Sequence, residues 1–184
     1  MKYSNFKYDG AEAVVAVFDE GRKQAHAYIS PTSPSDDASS QIKAVNEAAQ
    51  KLAAESGLIP VFKRYLLSDP TNQTQYLPQE ESCARSVLGQ SPLNGTKASL
   101  LILLEENADF RPNEGELWED SRGRMWVGDS NDIATGDSLT MTVAYLERLS
   151  CMLAQRGASL KDNCLRTWFF VRDIDNNYKG VVQG

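Results

Sequence analysis

Apolar and polar residues alternate along the start of the chain. Ala11–Phe18 is rich in β-formers and ends in the turn signal Asp19-Glu20-Gly21. Ala25, Ala27 and Ile29 then alternate with Gln24, His26 and Tyr28, which predicts a second strand and a hairpin. The Pro/Ser/Asp segment 30–40 supplies a helix start. From Asp37 to Ser56 the apolar residues Ile42, Val45, Ala49 and Leu52 recur at spacings of three and four, so one helix face must lie on a sheet. Gly57 ends that helix at a left-handed cap. Ile59–Leu67 returns to strand character and is broken by Ser68-Asp69-Pro70. A Gln-rich stretch to Ser82 reads as a short helix or loop. Cys83–Leu88 and Ser99–Leu104 read as two further strands, separated by the turn-rich Gln90–Gly95.

A second unit is expected after a charged linker, Glu105–Gly115. Glu116–Trp118 and Arg124–Gly128 flank Asp120-Ser121-Arg122-Gly123, a hairpin signal. A second amphipathic helix is predicted over Ser138–Arg156, with Asp137 as its cap and Leu139, Val143, Leu146, Leu149 and Leu153 on one face. Gly157 ends it, and Cys164–Val171 reads as a strand whose Trp168, Phe169 and Phe170 are expected in core and interface. Each half thus reads hairpin, helix, Gly cap, Arg-led strand, Asp, a repeat with a period of about one hundred residues. The expected organisation is α+β: a complete unit over 1–110 and a second, truncated unit over 111–184. Such a truncated unit would expose an unpaired sheet edge. The chain is therefore expected either to be part of a longer protein or to pair that edge with another copy.

Composition narrows the chemistry. Twenty-five carboxylates face nineteen Lys and Arg, for a net charge of −6. No run of basic residues exceeds two, so the electrostatic footprint of a nucleic-acid binder is missing, apart from a local patch that Lys63 and Arg64 could form. The N-terminus lacks a signal-peptide pattern, and the longest apolar run, Leu100–Leu104, is too short to span a membrane. Cys83, Cys151 and Cys164 form no CxxC pair, and His26 is the single histidine. Reduced thiols in a cytoplasmic protein are expected, with neither metal nor cofactor.

The segment Gln155–Ile174, with Gly157-Ala158-Ser159-Leu160-Lys161-Asp162 leading to Val171-Arg172-Asp173, resembles the Rid superfamily, also called the YjgF or reactive-intermediate deaminase family. In that family a helix ends in a "GASLDD" turn and a strand follows. Cys83-Ala84-Arg85-Ser86-Val87 resembles the family's "ARS.V" strand, and Ser91–Leu104 the strand after it. A tandem of two such halves also looks like the chorismatases. The resemblance implies a sheet with two helices on one face, assembled as a trimer or pseudo-trimer with ligand clefts between neighbours. It implies a small anionic substrate gripped by Arg85, since a guanidinium fork fixes the plane of a carboxylate with two charge-assisted hydrogen bonds. Older labels of the family name RNA cleavage and inhibition of translation initiation; the acidic composition argues against RNA.

Two departures stand out. The family deaminases carry a Glu on the strand after the Arg, whereas Ala98-Ser99-Leu100-Leu101 holds no carboxylate before Glu105. In the second half, the Arg-bearing strand would lie beyond Gly184. The candidate substrate-binding residues are Arg85 and Ser86 from the motif, Cys83 two positions before Arg85, and Trp126 and Gly128 at a sheet edge. Plainer alternatives stand beside these: Arg85 in a surface ion pair, Cys83 as a small buried thiol, and His26, the one candidate general base, as a solvated residue of an edge hairpin. Glu105, Glu106 and Asp109 read more simply as a solvated strand end than as paired carboxylates. Two functions follow. One is a Rid-like hydrolase or lyase acting on an enamine, imine or chorismate-like carboxylate, in a homo-oligomer. The other is a non-catalytic ligand-binding or interaction module.

Overall fold

A computed structural model describes residues 1–113, 117–128 and 136–184. The chain is α+β and divides into two compact units, residues 1–129 and 130–184.

In the first unit six strands form one mixed sheet. They are β1 (Lys2–Tyr8), β2 (Ala11–Glu20), β3 (Arg22–Pro31), β4 (Ile59–Leu67), β5 (Ala84–Gly89) and β6 (Ala98–Glu105). The spatial order is β1-β2-β3-β6-β4-β5; only the β4–β5 pair is parallel. The alternation legible in the sequence decides the faces, because successive strand side chains point to opposite sides. Ala11, Ala13, Val15, Ala25, Ala27, Ile29, Leu100, Ile102, Leu104, Tyr65 and Leu67 are buried on one face. Helix α1 (Ala38–Ser56) lies across them with Ile42, Val45, Ala48, Ala49 and Leu52. Asp37 caps α1 by accepting from the Ser40 N–H at 2.9 Å, and those hydrogen bonds hold its carboxyl below the usual aspartate range. Gly57 closes the helix at φ 67°, a conformation glycine adopts without a Cβ penalty.

Several expectations need correction here. The polar, aromatic N-terminus forms β1, an edge strand that its sequence did not announce. β3 lies between β2 and β6, so His26 sits on the open face of an interior strand and not on an edge hairpin. Among the described residues of this unit α1 is the one long helix, where the resemblance implies two helices on one face of the sheet. The Gln-rich stretch, read as a short helix or loop, forms a single turn, α2 (Pro70–Gln73), and one 3-10 turn, Thr74–Tyr76. A small antiparallel sheet of β7 (Arg111–Pro112), β8 (Leu117–Glu119) and β9 (Met125–Val127) completes the unit. The hairpin expected to open the second half therefore falls within residues 1–129; its expected first residue, Glu116, and the linker's Gly115 lie outside the described residues.

The regular elements among the described residues of the second unit are all helices: α3 (Ser138–Ala154), α4 (Leu160–Asn163) and α5 (Ile174–Gln183). Asp137 caps α3 as expected, accepting from the Thr140 N–H at 2.8 Å. α5 lies against α3 so closely that a Cβ on Gly180 would overlap the Ser138 side chain. The strand expected over Cys164–Val171 is not formed. Strands are held by ladders to neighbouring strands, and the described part of this unit offers only helices. Trp168, Phe169 and Phe170 are 44 to 50 % exposed, so they are not core. The expected apolar face of α3 is covered only in part: Leu153 is buried, while Leu139 stays exposed.

Among the described residues, no helix is long and apolar enough to cross a membrane.

Because Leu100 is fully buried at the centre of the α1–sheet core, Leu100→Ala should lower stability by about 2–5 kcal/mol in urea unfolding. Leu93→Ala, at a fully exposed loop position, should change it by less than about 0.5 kcal/mol. Equal effects at the two positions would contradict this placement of the core.

Candidate functional site

All five candidate residues gather around β5, at the edge of the large sheet. The parallel pairing sets Lys63 opposite Arg85 and Arg64 opposite Ser86. Paired residues share a face, so Lys63 and Arg85 project toward the α1 side, and Arg64 and Ser86 toward the open side. Arg85 and Ser86 therefore do not converge on one ligand.

On the α1 side Lys63 takes a position where its strand neighbours Tyr65 and Leu67 are buried and apolar in pattern. A buried ammonium requires a counter-charge. Glu81 supplies it, with Lys63 Nζ 2.6 Å from Glu81 Oε2 and both side chains at most 10 % exposed. Fully buried Tyr65 places its hydroxyl 3.0 Å from Glu81 Oε1 and 2.6 Å from Asn46 Oδ1. Asn46 in turn donates to the Ile42 carbonyl of α1 at 2.9 Å. The cluster thus ties together helix, sheet and the irregular segment 77–83. The phenol is pushed well above its ordinary range by burial first and by the Glu81 charge second. Cys83 is fully buried beside the pair. Burial raises its thiol to about 12, against the lowering effect of Lys63 and with a further rise from Glu81.

Arg85 is half-buried and donates one guanidinium N–H to the Pro78 carbonyl at 2.9 Å. Among the described residues it has no carboxylate within ion-pair distance. The surface ion pair offered as its plainer role is therefore absent there. Gly128 runs past the outer edge of β5, where a Cβ would overlap the Arg85 carbonyl oxygen, so only glycine fits this approach. Trp126 stacks on Phe62 of β4 at 5.0 Å between ring centroids, and the Arg64 guanidinium lies 5.1 Å above the same Phe62 ring. Trp126 and the buried Ser86 hence line the open side of β4–β5, while Cys83 and Arg85 lie on the other. The basic patch imagined for Lys63 and Arg64 does not form, because the two residues leave the strand on opposite faces.

Glu105 corrects another expectation. It is buried, not a solvated strand end: Arg124 grips both carboxylate oxygens at 3.1 and 2.8 Å, and Arg22 approaches to 3.3 Å. Asp120, with no exposed side-chain surface, holds Arg124 from the other side at 2.7 Å. Hydrogen bonds to Glu105 and Asp120 raise the Arg124 guanidinium above its already high range. Both carboxylates are consumed in this network, which leaves neither placed as a general base. His26 packs against Phe18 at 5.0 Å; burial lowers its imidazole, and the charge of Glu105 opposes that shift.

Two open clefts lie elsewhere. One of about 260 Å³ is lined by Asp109, Arg111, Pro112, Asn113, Glu119 and Asp120 among others, and one of about 430 Å³ by α3 residues and Gly184. Among the described residues, neither is lined by any of the five candidate substrate-binding residues. Among the described residues no group of three or more His, Cys, Asp or Glu is placed to hold a metal ion. Sequence reasoning missed Glu81, Tyr65 and Asn46; the one signal was a Lys in register with the apolar face of a strand. No protein-family model matches the chain, and no curated protein matches it either.

A thiol with a pKa of about 12 is ionised in only about one molecule in ten thousand at pH 8, and only the thiolate is nucleophilic. Iodoacetamide at pH 8 should therefore modify exposed Cys151 long before Cys83, as read by peptide mass spectrometry. Comparable rates in the folded protein would show that Cys83 is open and activated.

Proposed function

We propose that this chain is a Rid-like protein that binds a small carboxylate at Arg85, in a cleft completed by a neighbouring subunit or domain. In such a protein the bound enamine, imine or chorismate-like acid is hydrolysed or split. The observation that carries the reading is Arg85 itself. A half-buried guanidinium on an edge strand, fixed through one N–H to Pro78 and lacking a carboxylate partner among the described residues, keeps a fork available for an external anion. The Rid-like character of the sheet, the tandem arrangement and a trimeric or pseudo-trimeric assembly belong to the same proposal. So does a cytoplasmic location, consistent with three free thiols.

A second reading, a binding module without turnover, has a specific observation in its favour. Among the described residues on the face of Arg85, Glu81 is engaged by Lys63 and Tyr65, and burial keeps Cys83 and Tyr65 un-ionised near neutral pH. Turnover would require an acid–base group beyond these residues.

Calorimetry with acetate, pyruvate and benzoate, alongside ammonia release from a 2-aminoacrylate-type enamine, separates the readings. Binding should weaken at least about tenfold in Arg85→Ala and only partly in Arg85→Lys, which keeps the charge but loses the fork. Ammonia release abolished by Arg85→Ala favours the enzyme; binding without release favours the module. Unchanged affinity in Arg85→Ala would end the carboxylate-anchor reading.

A further inference from the structure

Glu81 reaches the α1 side of β4–β5 from a segment with no regular structure. Residues 77–83 contain neither helix nor strand, and Gln79, Glu80 and Ser82 are exposed around it. Its carboxylate nevertheless sits deep, on a set of donors of the kind that recognises a carboxylate: an ammonium at 2.6 Å and a phenol at 3.0 Å. Arg85, the direct cross-strand neighbour of Lys63, lies on the same face.

The hold on Glu81 is uneven. A tyrosine hydroxyl carries one hydrogen, and Asn46 Oδ1, at 2.6 Å, is the nearer acceptor for it. When that hydrogen goes to Asn46, Lys63 is the donor that keeps Glu81 in place. The segment is fastened at its two ends by buried Leu77 and Cys83, and in between by the Arg85–Pro78 hydrogen bond. Arg85 thus grips the backbone of the very segment that delivers Glu81. A carboxylate arriving at Arg85 would compete with Pro78 for the guanidinium and loosen that segment.

We propose that Glu81 is an internal occupant of a carboxylate site, and that a small external monocarboxylate replaces it on Lys63 and Tyr65, beside Arg85, when residues 78–82 lift between the buried ends Leu77 and Cys83. This deepens the reading of Arg85 as an anchor and rests on it. It makes the site self-closed: Lys63 keeps a counter-charge in either state, so opening does not strand a buried ammonium. The ligand class follows from the shape of the occupant. Beyond its Cα, the Glu81 side chain is propionate, so propionate is the natural probe.

The test uses the full chain in sodium propionate against sodium chloride of equal ionic strength. Glu81→Ala should melt lower than the unsubstituted protein, and propionate should restore about half or more of the loss in a saturable manner. Lys63→Met combined with Glu81→Ala should show no such recovery. Should Glu81→Ala not fold, Glu81→Gln keeps the volume and removes the charge, and calorimetry should then give at least about tenfold tighter propionate binding than the unsubstituted protein. Recovery equal in chloride, or no gain of affinity in Glu81→Gln, overturns the proposal and leaves Arg85-dependent binding standing on its own. A gain in Glu81→Gln that survives Arg85→Ala supports the internal occupant and removes Arg85 as the anchor.

Discussion

An ammonium placed on the covered face of a sheet needs a counter-charge, and this constraint organises the β4–β5 edge. Lys63 lies among the side chains that α1 covers, so folding brings Glu81 to it from segment 77–83. Breaking such a pair from one side leaves an uncompensated buried charge, at a cost of about 3–5 kcal/mol. Tyr65 and Asn46 extend the same contact to α1. Helix, edge strands and the irregular connection are thereby fastened at one place, where Arg85 also stands. Any ligand site at this edge inherits that fastening.

The sheet's two faces divide the chemistry. The α1 side near β5 carries Lys63, Glu81, Tyr65, Cys83 and Arg85, closed by segment 77–83. The open side carries Trp126 stacked on Phe62, with Arg64 above the ring and Ser86 in register with Arg64. A strand's two-residue period enforces this split, which separates two neighbours of a single sequence motif, Arg85 and Ser86. The proposed anion site and the packing of the small β7–β9 sheet thus use different faces of one edge, and Gly128 presses its backbone against that of Arg85.

Much of the first unit was legible from local pattern. The alternation at Ala25, Ala27 and Ile29, the three-and-four spacing from Ile42 to Leu52, and Gly57 each specify a burial face or a helix end through side-chain period alone. The features that were not legible depend on tertiary partners. β1 has weak alternation and gains its strand conformation from pairing with β2. Cys164–Val171 has the residue types of a strand, but no other strand lies in the described part of its unit. Glu105 read as solvent-facing because the arginines that bury it, Arg22 and Arg124, lie far from it in sequence. Cys83 was legible as a buried thiol, and Arg85 as a candidate anchor. The Lys63–Glu81 pair was not, since nothing in the Gln-rich stretch distinguishes Glu81 from the exposed Glu80 beside it.

The most direct test of this account is a double-mutant cycle on Lys63 and Glu81, measured as urea-unfolding free energies of the unsubstituted protein, Lys63→Met, Glu81→Gln and the double variant. If the pair is a desolvated ion pair at the closed site, each single change is strongly destabilising and the double variant recovers much of the loss, with a coupling of about 2 kcal/mol or more. Single effects that add to within about 0.5 kcal/mol would mean that the two charges do not depend on each other, and the account of a site closed by its own carboxylate would be wrong.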